Sequence, residues 1–520
     1  MTTVSDRRVV LKALAGVTAI ASPVVAKPST PAPIARTHSG RVEGETQAGI
    51  HVFKGIPYGA DTRLARFQPP QPVKPWRGVK KTLAYGAACP QGRGEDNQGE
   101  DCLYLNVWTP ALRDGGKRAV MFYIHGGAYS NGSGSAAIYD GVNLCKRGNV
   151  VVVTINHRLN AFGYLSLAML DDRYADSGNV GQLDIIQALA WVRENIAEFG
   201  GDPNCILVFG QSGGGAKIAT MMAMPAAKGL FHRAITMSGQ QLTASGPLNA
   251  RKRTEAYLKT LGISKIDELK TIDAEKLVAA LSTTDPIIGS GGLYFGPVLD
   301  FKNLLRHPFF PDAPSQSAAI PMMVGNTHDE TRAFITDPGV YKLTWEELPD
   351  RLAKNLRVDI LPKVVIDAYK SWFPSITPTD LFFLATTAGR SWRAAIVEDE
   401  LRAAAGRPAY AYQVNWACPD DHRRAQHMTD IPLAFDNTDK TGAITGNDER
   451  ARKMAAIVSE TFITFAKTGK PDNALIPTWK PYSLENRETM VFDLPPQLEN
   501  DPRGRERKLF EQVPFIQQGT

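Results

Sequence analysis

The chain has 520 residues, 43% hydrophobic and 22% charged, with a formal net charge of +6 spread along its length. That size and balance belong to a soluble globular protein able to bury a large core without disulfide or metal staples. Five cysteines in such a length exclude a disulfide scaffold. The weak positive balance gives no ground for a nucleic-acid partner. The one basic cluster, Arg503 to Lys508, is interrupted by Glu506 and reads as a solvated tail.

In chain order, the first signal is at the N-terminus. Asp6-Arg7-Arg8-Val9-Val10-Leu11-Lys12 precedes a small apolar run that ends at Val24-Val25-Ala26. A charged start, an apolar middle and small residues before a cleavage point make residues 1–26 an export signal, with a mature start near Lys27. The paired arginines resemble a twin-arginine signal, the alternative being an ordinary secretory signal. Either places the protein outside the cytoplasm, in a bacterial periplasm or medium. No later segment reaches the roughly 20 apolar residues of a membrane anchor. Residues 27–36, rich in proline, read as an extended linker before a single domain over 37–520.

Short alternating segments at Gly40–Gly44 and Ile50–Lys54 predict an antiparallel edge. The runs Leu103–Trp108, Ala119–Ile124 and Asn149–Ile155 are almost wholly apolar and predict strands buried on both faces. Helical periodicity covers Gly181–Phe199, and Gly200-Gly201-Asp202-Pro203 ends it. Further strands are predicted at Cys205–Phe209, Arg233–Met237, Ile320–Val324, Ala409–Val414 and Thr489–Phe492. Strands alternating with helices imply an α/β fold with a mostly parallel sheet. Residues 340–405 hold helix formers without a clear strand and read as a helical insertion over the sheet.

Gly210-Gln211-Ser212-Gly213-Gly214 stands between the strand ending at Phe209 and an apolar helix. Gly-x-Ser-x-Gly in that setting is a tight turn that lifts a serine hydroxyl above the sheet edge, with a helix N-terminus behind it. His125-Gly126-Gly127-Ala128-Tyr129 follows another strand, and its small residues let the main chain approach a developing oxyanion. Gly127, Ala128 and Gly213 are the candidate oxyanion hole. In α/β-hydrolases the chain order is serine, acid, histidine. His422 and His427 remain as candidate bases, and Asp329 and Glu330, after the strand Ile320–Val324, as candidate acids. With neither a Cys-x-x-Cys nor a His-Glu-x-x-His motif, no metal or other cofactor is expected.

These stretches together resemble the type-B carboxylesterase family, which also contains cholinesterases. The likeness runs in order through Phe53-Lys-Gly-Ile-Pro-Tyr-Gly59, Arg66-Phe-Gln-Pro-Pro, Glu100-Asp-Cys-Leu-Tyr-Leu-Asn-Val107, and Gly200-Gly-Asp-Pro with the Ser212 turn. The resemblance implies an α/β-hydrolase fold, with Ser212 as nucleophile, Glu330 as acid, His427 as base and a small-molecule ester as substrate. It also implies a Cys89–Cys102 disulfide, and structural ion pairs Arg66–Glu100 and Arg158–Asp184. Three positions depart from the family: Gln211 replaces a usual Glu, Gly213 a usual Ala, and Thr331 a usual Gly. Gly213 is expected to donate its N–H from a looser backbone. The family also holds adhesion proteins that lost catalysis, and the same triad can cleave amides or lactones. All three triad types are present here, which favours the esterase. Tyr129, Phe295 and Trp392 are candidate pocket aromatics, and the 240–310 and 340–405 regions are expected to shape the pocket.

Overall fold

The apolar runs between residues 103 and 155 have no polar alternation, so each strand must be covered on both sides. In the computed structural model, which describes residues 31–418, 421–517 and 519, they lie in an eleven-stranded mixed sheet. The strands, in chain order, are β1 (Ile34–Thr37), β2 (Gly40–Glu43), β3 (Glu45–Gln47), β4 (Ile50–Pro57), β5 (Val79–Lys81), β6 (Tyr104–Thr109), β7 (Arg118–Ile124), β8 (Val151–Ile155), β9 (Gly201–Gln211), β10 (Arg233–Met237), β11 (Met322–Thr327), β12 (Ala409–Val414), β13 (Glu488–Phe492) and β14 (Gln497–Asn500). β1, β2 and β5 form a small separate sheet. The main sheet runs β14-β13-β12-β11-β10-β9-β7-β8-β6-β4-β3. Strands β8 to β13 along this order, with β7, are mutually parallel, and the antiparallel pairings are confined to the two flanks.

Within β7, Val120, Phe122 and Ile124 enter one apolar layer while Met121 and Tyr123 enter the other. The period-2 alternation of a strand thus feeds two cores from one continuous apolar run. The helix predicted over Gly181–Phe199 is α-helical over Val180–Asn195 and tightens to 3-10 geometry over Ile196–Phe199. Gly200 ends it at φ 72°, a left-handed conformation that suits glycine.

The described residues from Pro33 onward form one compact unit. Strand β1 begins at Ile34, inside the stretch read as a linker, because Ile34 to Thr37 pair with Glu43 to Gly40. Residues 1–26, which carry the export-signal reading, lie outside the described residues. No helix among the described residues is long and apolar enough to cross a membrane.

The predicted insertion is helical, with helices at Leu348–Asn355, Pro362–Trp372, Pro378–Thr387 and Arg393–Ala404 around a core of their own. The basic cluster after Asp501 is not a solvated tail. Gly504–Phe510 is a helix whose Phe510 is buried in that core, while Arg503 and Glu506 form a buried ion pair. Arg503 at the helix N-cap pairs with Glu506 while Phe510 anchors the helix in the core.

The two ion pairs expected from the resemblance are present. Arg66 Nε donates to Glu100 at 2.7 Å. Arg158 donates through Nε and Nη2 to the two carboxylate oxygens of Asp184 at 2.8 and 2.6 Å, and its backbone N–H adds a third bond at 2.9 Å. Asp184 has no solvent exposure, so its charge depends wholly on Arg158. Cys89 and Cys102 are buried neighbours but free thiols, so the expected disulfide is not formed in this structure. The hydrogen bond to Cys89, with burial, pushes the Cys102 thiol well above its ordinary value.

Replacing Asp184 with Asn leaves the Arg158 guanidinium buried without a counter-charge. A loss of about 3–5 kcal/mol is expected, read as a lower midpoint in urea unfolding.

Candidate active site

Parallel pairing aligns the C-terminal ends of five strands, β7, β9, β10, β11 and β12. Ile124 sits opposite Gly210, Met237 opposite both Gln211 and Gly325, and Thr327 opposite Val414. The loops that leave these ends therefore converge on one rim, as expected for open parallel sheets.

Ser212 follows β9 directly and precedes the helix Gly213–Met221. Its backbone stands at φ 55° and ψ −124°, a conformation that costs a non-glycine residue roughly 1–3 kcal/mol. Its N–H is tied to the Met237 carbonyl at 2.7 Å. A Cβ at Gly214 would lie 2.0 Å from the Ile124 carbonyl, so this position admits no side chain. The sharp turn projects the serine side chain into a cavity of about 120 Å³.

Two of the three candidate oxyanion donors, Ala128 and Gly213, line that cavity, and Gly127 directly precedes Ala128. Gly127 and Ala128 are both left-handed, at φ 82° and 53°, and Ala128, Ser212 and Gly213 line the cavity together. The amides of Gly127, Ala128 and Gly213 make no hydrogen bond among the described residues. Gly213 is not loosely held, contrary to the reading from its missing methyl. A Cβ there would lie 2.0 Å from the Ala128 carbonyl oxygen. That oxygen is drawn in by Lys217, whose Nζ donates to it at 2.6 Å and to the His125 carbonyl at 3.4 Å. Lys217 is fully buried above the Tyr129 ring, and burial lowers its ammonium to about 7.

Of the two candidate acids, Glu330 faces the base. Its Oε2 accepts from His427 Nδ1, and its Oε1 accepts from the Thr327 N–H at 2.9 Å. Burial raises the carboxyl, but His427 and these hydrogen bonds outweigh it and the net shift is downward. Asp329 instead contacts His328 at 3.0 Å and Arg332 at 3.3 Å. Of the two candidate bases, His427 is buried at the rim, whereas the His422 side chain is 71% exposed beside Asp421. Serine, acid and histidine thus reach one rim from three different loops.

The remaining histidine nitrogen is not hydrogen-bonded to the serine. His427 Nε2 lies 2.9 Å from Gln211 Nε2. With Nδ1–H directed at Glu330, Nε2 carries the lone pair, and the Gln211 amide donates to it. The departure at Gln211 therefore places a neutral donor against the atom that must accept the serine proton. The departure at Thr331 has a structural use. Its hydroxyl bonds the Phe383 carbonyl at 3.2 Å and the Thr386 and Thr387 hydroxyls at 2.9 Å, tying the acid loop to the insertion.

Tyr129 lines the cavity and donates to Gln241 at 3.1 Å. Phe295 and Trp392 do not line it. Phe295 packs on Tyr257 in the core, and Trp392 belongs to the insertion core under Arg503. Tyr294, one residue earlier than Phe295, takes the cavity wall with Gln240, Arg357 and Arg390. Both regions expected to shape the pocket therefore do so. A cavity of about 1020 Å³ opens at the loop between Cys89 and Cys102 and holds none of the triad. Among the described residues no cluster of His, Cys, Asp or Glu could hold a metal ion.

Sequence reasoning did not single out Lys217, Asp430, Arg357 or Arg390. Asp430 is fully buried, and burial together with the charge of Glu330 raises its carboxyl to about 8. A lysine inside an apolar helix was the one readable signal, since a charge there demands a partner.

The family model described as the Carboxylesterase family matches residues 31–371 and 384–510. The chain belongs to the carboxylesterase family. It is 36% identical over 500 residues to para-nitrobenzyl esterase of Bacillus subtilis, covering 92% of this chain and 98% of that one. It is 32% identical over 490 residues to phenmedipham hydrolase of Pseudarthrobacter oxydans, covering 88% and 94%. A solved carboxylesterase of Geobacillus stearothermophilus superposes with a TM-score of 0.82 at 37% identity, covering 92% of this chain and 99% of that one. The fold is that of the α/β-hydrolases, and the chain is a carboxylic-ester hydrolase.

Two predictions follow from the esterase geometry. Gln211→Glu sets a carboxylate against His427 and favours the protonated imidazole, which cannot accept the serine proton. The acid limb of the kcat/KM profile is then expected to move to higher pH by about one unit. Lys217→Met removes the anchor of the Ala128 carbonyl, and kcat is expected to fall by about tenfold or more with KM nearly constant.

Proposed function

We propose that the esterase works by two-step acyl transfer on Ser212. His427 Nε2 takes the hydroxyl proton as Ser212 Oγ attacks the ester carbonyl, and the same proton then passes to the departing alcohol. Glu330 holds the imidazole in the required tautomer and stabilises its cationic form without taking the proton. The carbonyl oxygen, negatively charged in the tetrahedral intermediate, is stabilised by the N–H groups of Gly127, Ala128 and Gly213. Water, deprotonated by His427, then releases the acid and restores the serine. The observation that carries this reading is the His427–Glu330 contact at the rim where the strained Ser212 turn meets the oxyanion loop.

For attack, Ser212 Oγ must replace the Gln211 amide at His427 Nε2. A side-chain rotation of Gln211, whose backbone is fixed in β9, would free that nitrogen. The presence of serine, acid and base together favours catalysis over a binding-only role. A 120 Å³ cavity suits a short acyl chain on a small-molecule ester.

The N-terminal Arg7-Arg8 segment supports export by a twin-arginine route, and cell fractionation with Arg7 and Arg8 changed to Lys tests it. In an oxidising compartment the neighbouring Cys89 and Cys102 thiols would give up two electrons and two protons to an oxidant and close as a disulfide.

With p-nitrophenyl butyrate, Ser212→Ala is expected to lower kcat by at least about a thousandfold, and Glu330→Gln by a similar order. A stoichiometric acyl adduct on Ser212, trapped by rapid acid quench and located by mass spectrometry, is expected in the wild type alone. Full turnover in Ser212→Ala would overturn the mechanism.

A further inference from the structure

The cavity at Ser212 has an unusual far wall. Arg357 and Arg390 both line it, and both also line an adjoining outer cavity of about 610 Å³. Arg357 and Arg390 are thus shared by the inner and outer spaces. Among the described residues no ion pair or side-chain hydrogen bond to either is found, and the one ring contact is that of Arg390 with Phe334. Arg390 lies over the Phe334 ring at 4.0 Å, and that ring packs on His427 at 4.6 Å. Such a stack positions the guanidinium without neutralising it.

The surrounding charges leave the pair unbalanced. Glu330 is the acid whose field reaches Arg390, but its two oxygens are engaged by His427 and Thr327. Lys354 and Asp359 line the outer cavity, and Asp359 pairs with neither arginine. Burial and the repulsion of Arg357 push Arg390 down to about 9, and burial also lowers Arg357. Arg390 also breaks its helix. It sits in a π-turn, Ala388–Trp392, at φ −114° and ψ −112°, so the backbone departs from helical geometry at the residue that faces the cavity.

The cavity has a direction. Ala128, Ser212 and Gly213 line it, whereas His427 does not. The leaving alcohol must depart beside His427, which protonates it, so this space holds the acyl arm of the ester. We propose that Arg357 and Arg390 form an anion subsite for a carboxylate at the far end of the acyl arm, which makes half-esters of short dicarboxylic acids the preferred substrate class. This rests on the esterase reading above. A carboxylate between two planar guanidinium groups accepts paired hydrogen bonds from each and relieves their mutual repulsion.

The test compares p-nitrophenyl hydrogen glutarate with its neutral isostere, the p-nitrophenyl ester of glutaramic acid, on the whole protein and after correction for uncatalysed hydrolysis. Wild-type kcat/KM is expected to favour the anion by at least about tenfold, the size of one charge-assisted hydrogen bond. That ratio should fall by about tenfold in Arg390→Gln and in Arg357→Gln, and partly return in Arg390→Lys. Because the readout is a ratio, a partly destabilised variant still reports. Should the Gln variants not fold, inhibition of the wild type by free glutarate against glutaramate serves instead, glutarate being expected to bind more tightly. Equal kcat/KM for the two esters, an unchanged ratio in both Gln variants, or equal inhibition would overturn the subsite and leave the esterase reading intact. Turnover of p-nitrophenyl butyrate but of neither glutaryl ester by folded wild type would overturn the subsite alone, and turnover of none of the three would overturn the esterase mechanism with it.

Discussion

The backbone of Ser212, at φ 55° and ψ −124°, is held by close packing on every side. A Cβ at Gly214 would lie 2.0 Å from the Ile124 carbonyl, and one at Gly239 would lie 1.7 Å from the carbonyl of Ser212 itself. Main chain packs on main chain, and side chains are excluded where the strands β7, β9 and β10 end. The parallel register that aligns Ile124 with Gly210 then decides where the oxyanion loop can run. Any drift in that register would move the donors away from the serine, so the chemistry depends on the sheet before it depends on any single side chain.

The oxyanion loop shows how a departure from the family is absorbed. Lys217 draws the Ala128 carbonyl towards the helix, and the carbonyl then occupies the space that a methyl at position 213 would need. Gly213 and Lys217 are thus two parts of one arrangement. A buried ammonium against two backbone carbonyls holds the loop by charge-assisted hydrogen bonds, where small apolar contacts would hold it less firmly. Burial lowers the Lys217 ammonium, so this anchor is bought with some of the affinity of that group for its proton.

Strand positions and the Ser212 turn could be read from local pattern, an apolar run and then a tight glycine turn, whereas that pattern left Asp329 or Glu330 and His422 or His427 open until the family resemblance pointed to Glu330 and His427. The run Arg233–Met237 and the run Ala409–Val414 are strands with those same limits. What could not be read depends on side-chain direction. Tyr294 and Phe295 are adjacent, yet one faces the cavity and the other the core. The Gln211–His427 contact likewise joins residues far apart in sequence, and no periodicity announces it. Arg357 and Arg390 meet only because the insertion helices fold back over the rim. The buried Gly504–Phe510 helix was misread because charges that look solvated in sequence neutralise one another in space.

The insertion has its own apolar core, separate from the two layers that sandwich the sheet. Thr331 fastens it to the acid loop through hydroxyl contacts with Thr386 and Thr387. Ser212 therefore stands on the sheet, while part of the cavity wall, Arg357, Arg390, Ser391 and Ala394, stands on the helical layer. Substitutions in the helical layer can alter what enters the cavity while the reactive geometry persists beneath. Such a division lets a lineage try new substrates without first giving up the old reaction, and a modest set of changes between residues 340 and 405 is where that drift would be recorded.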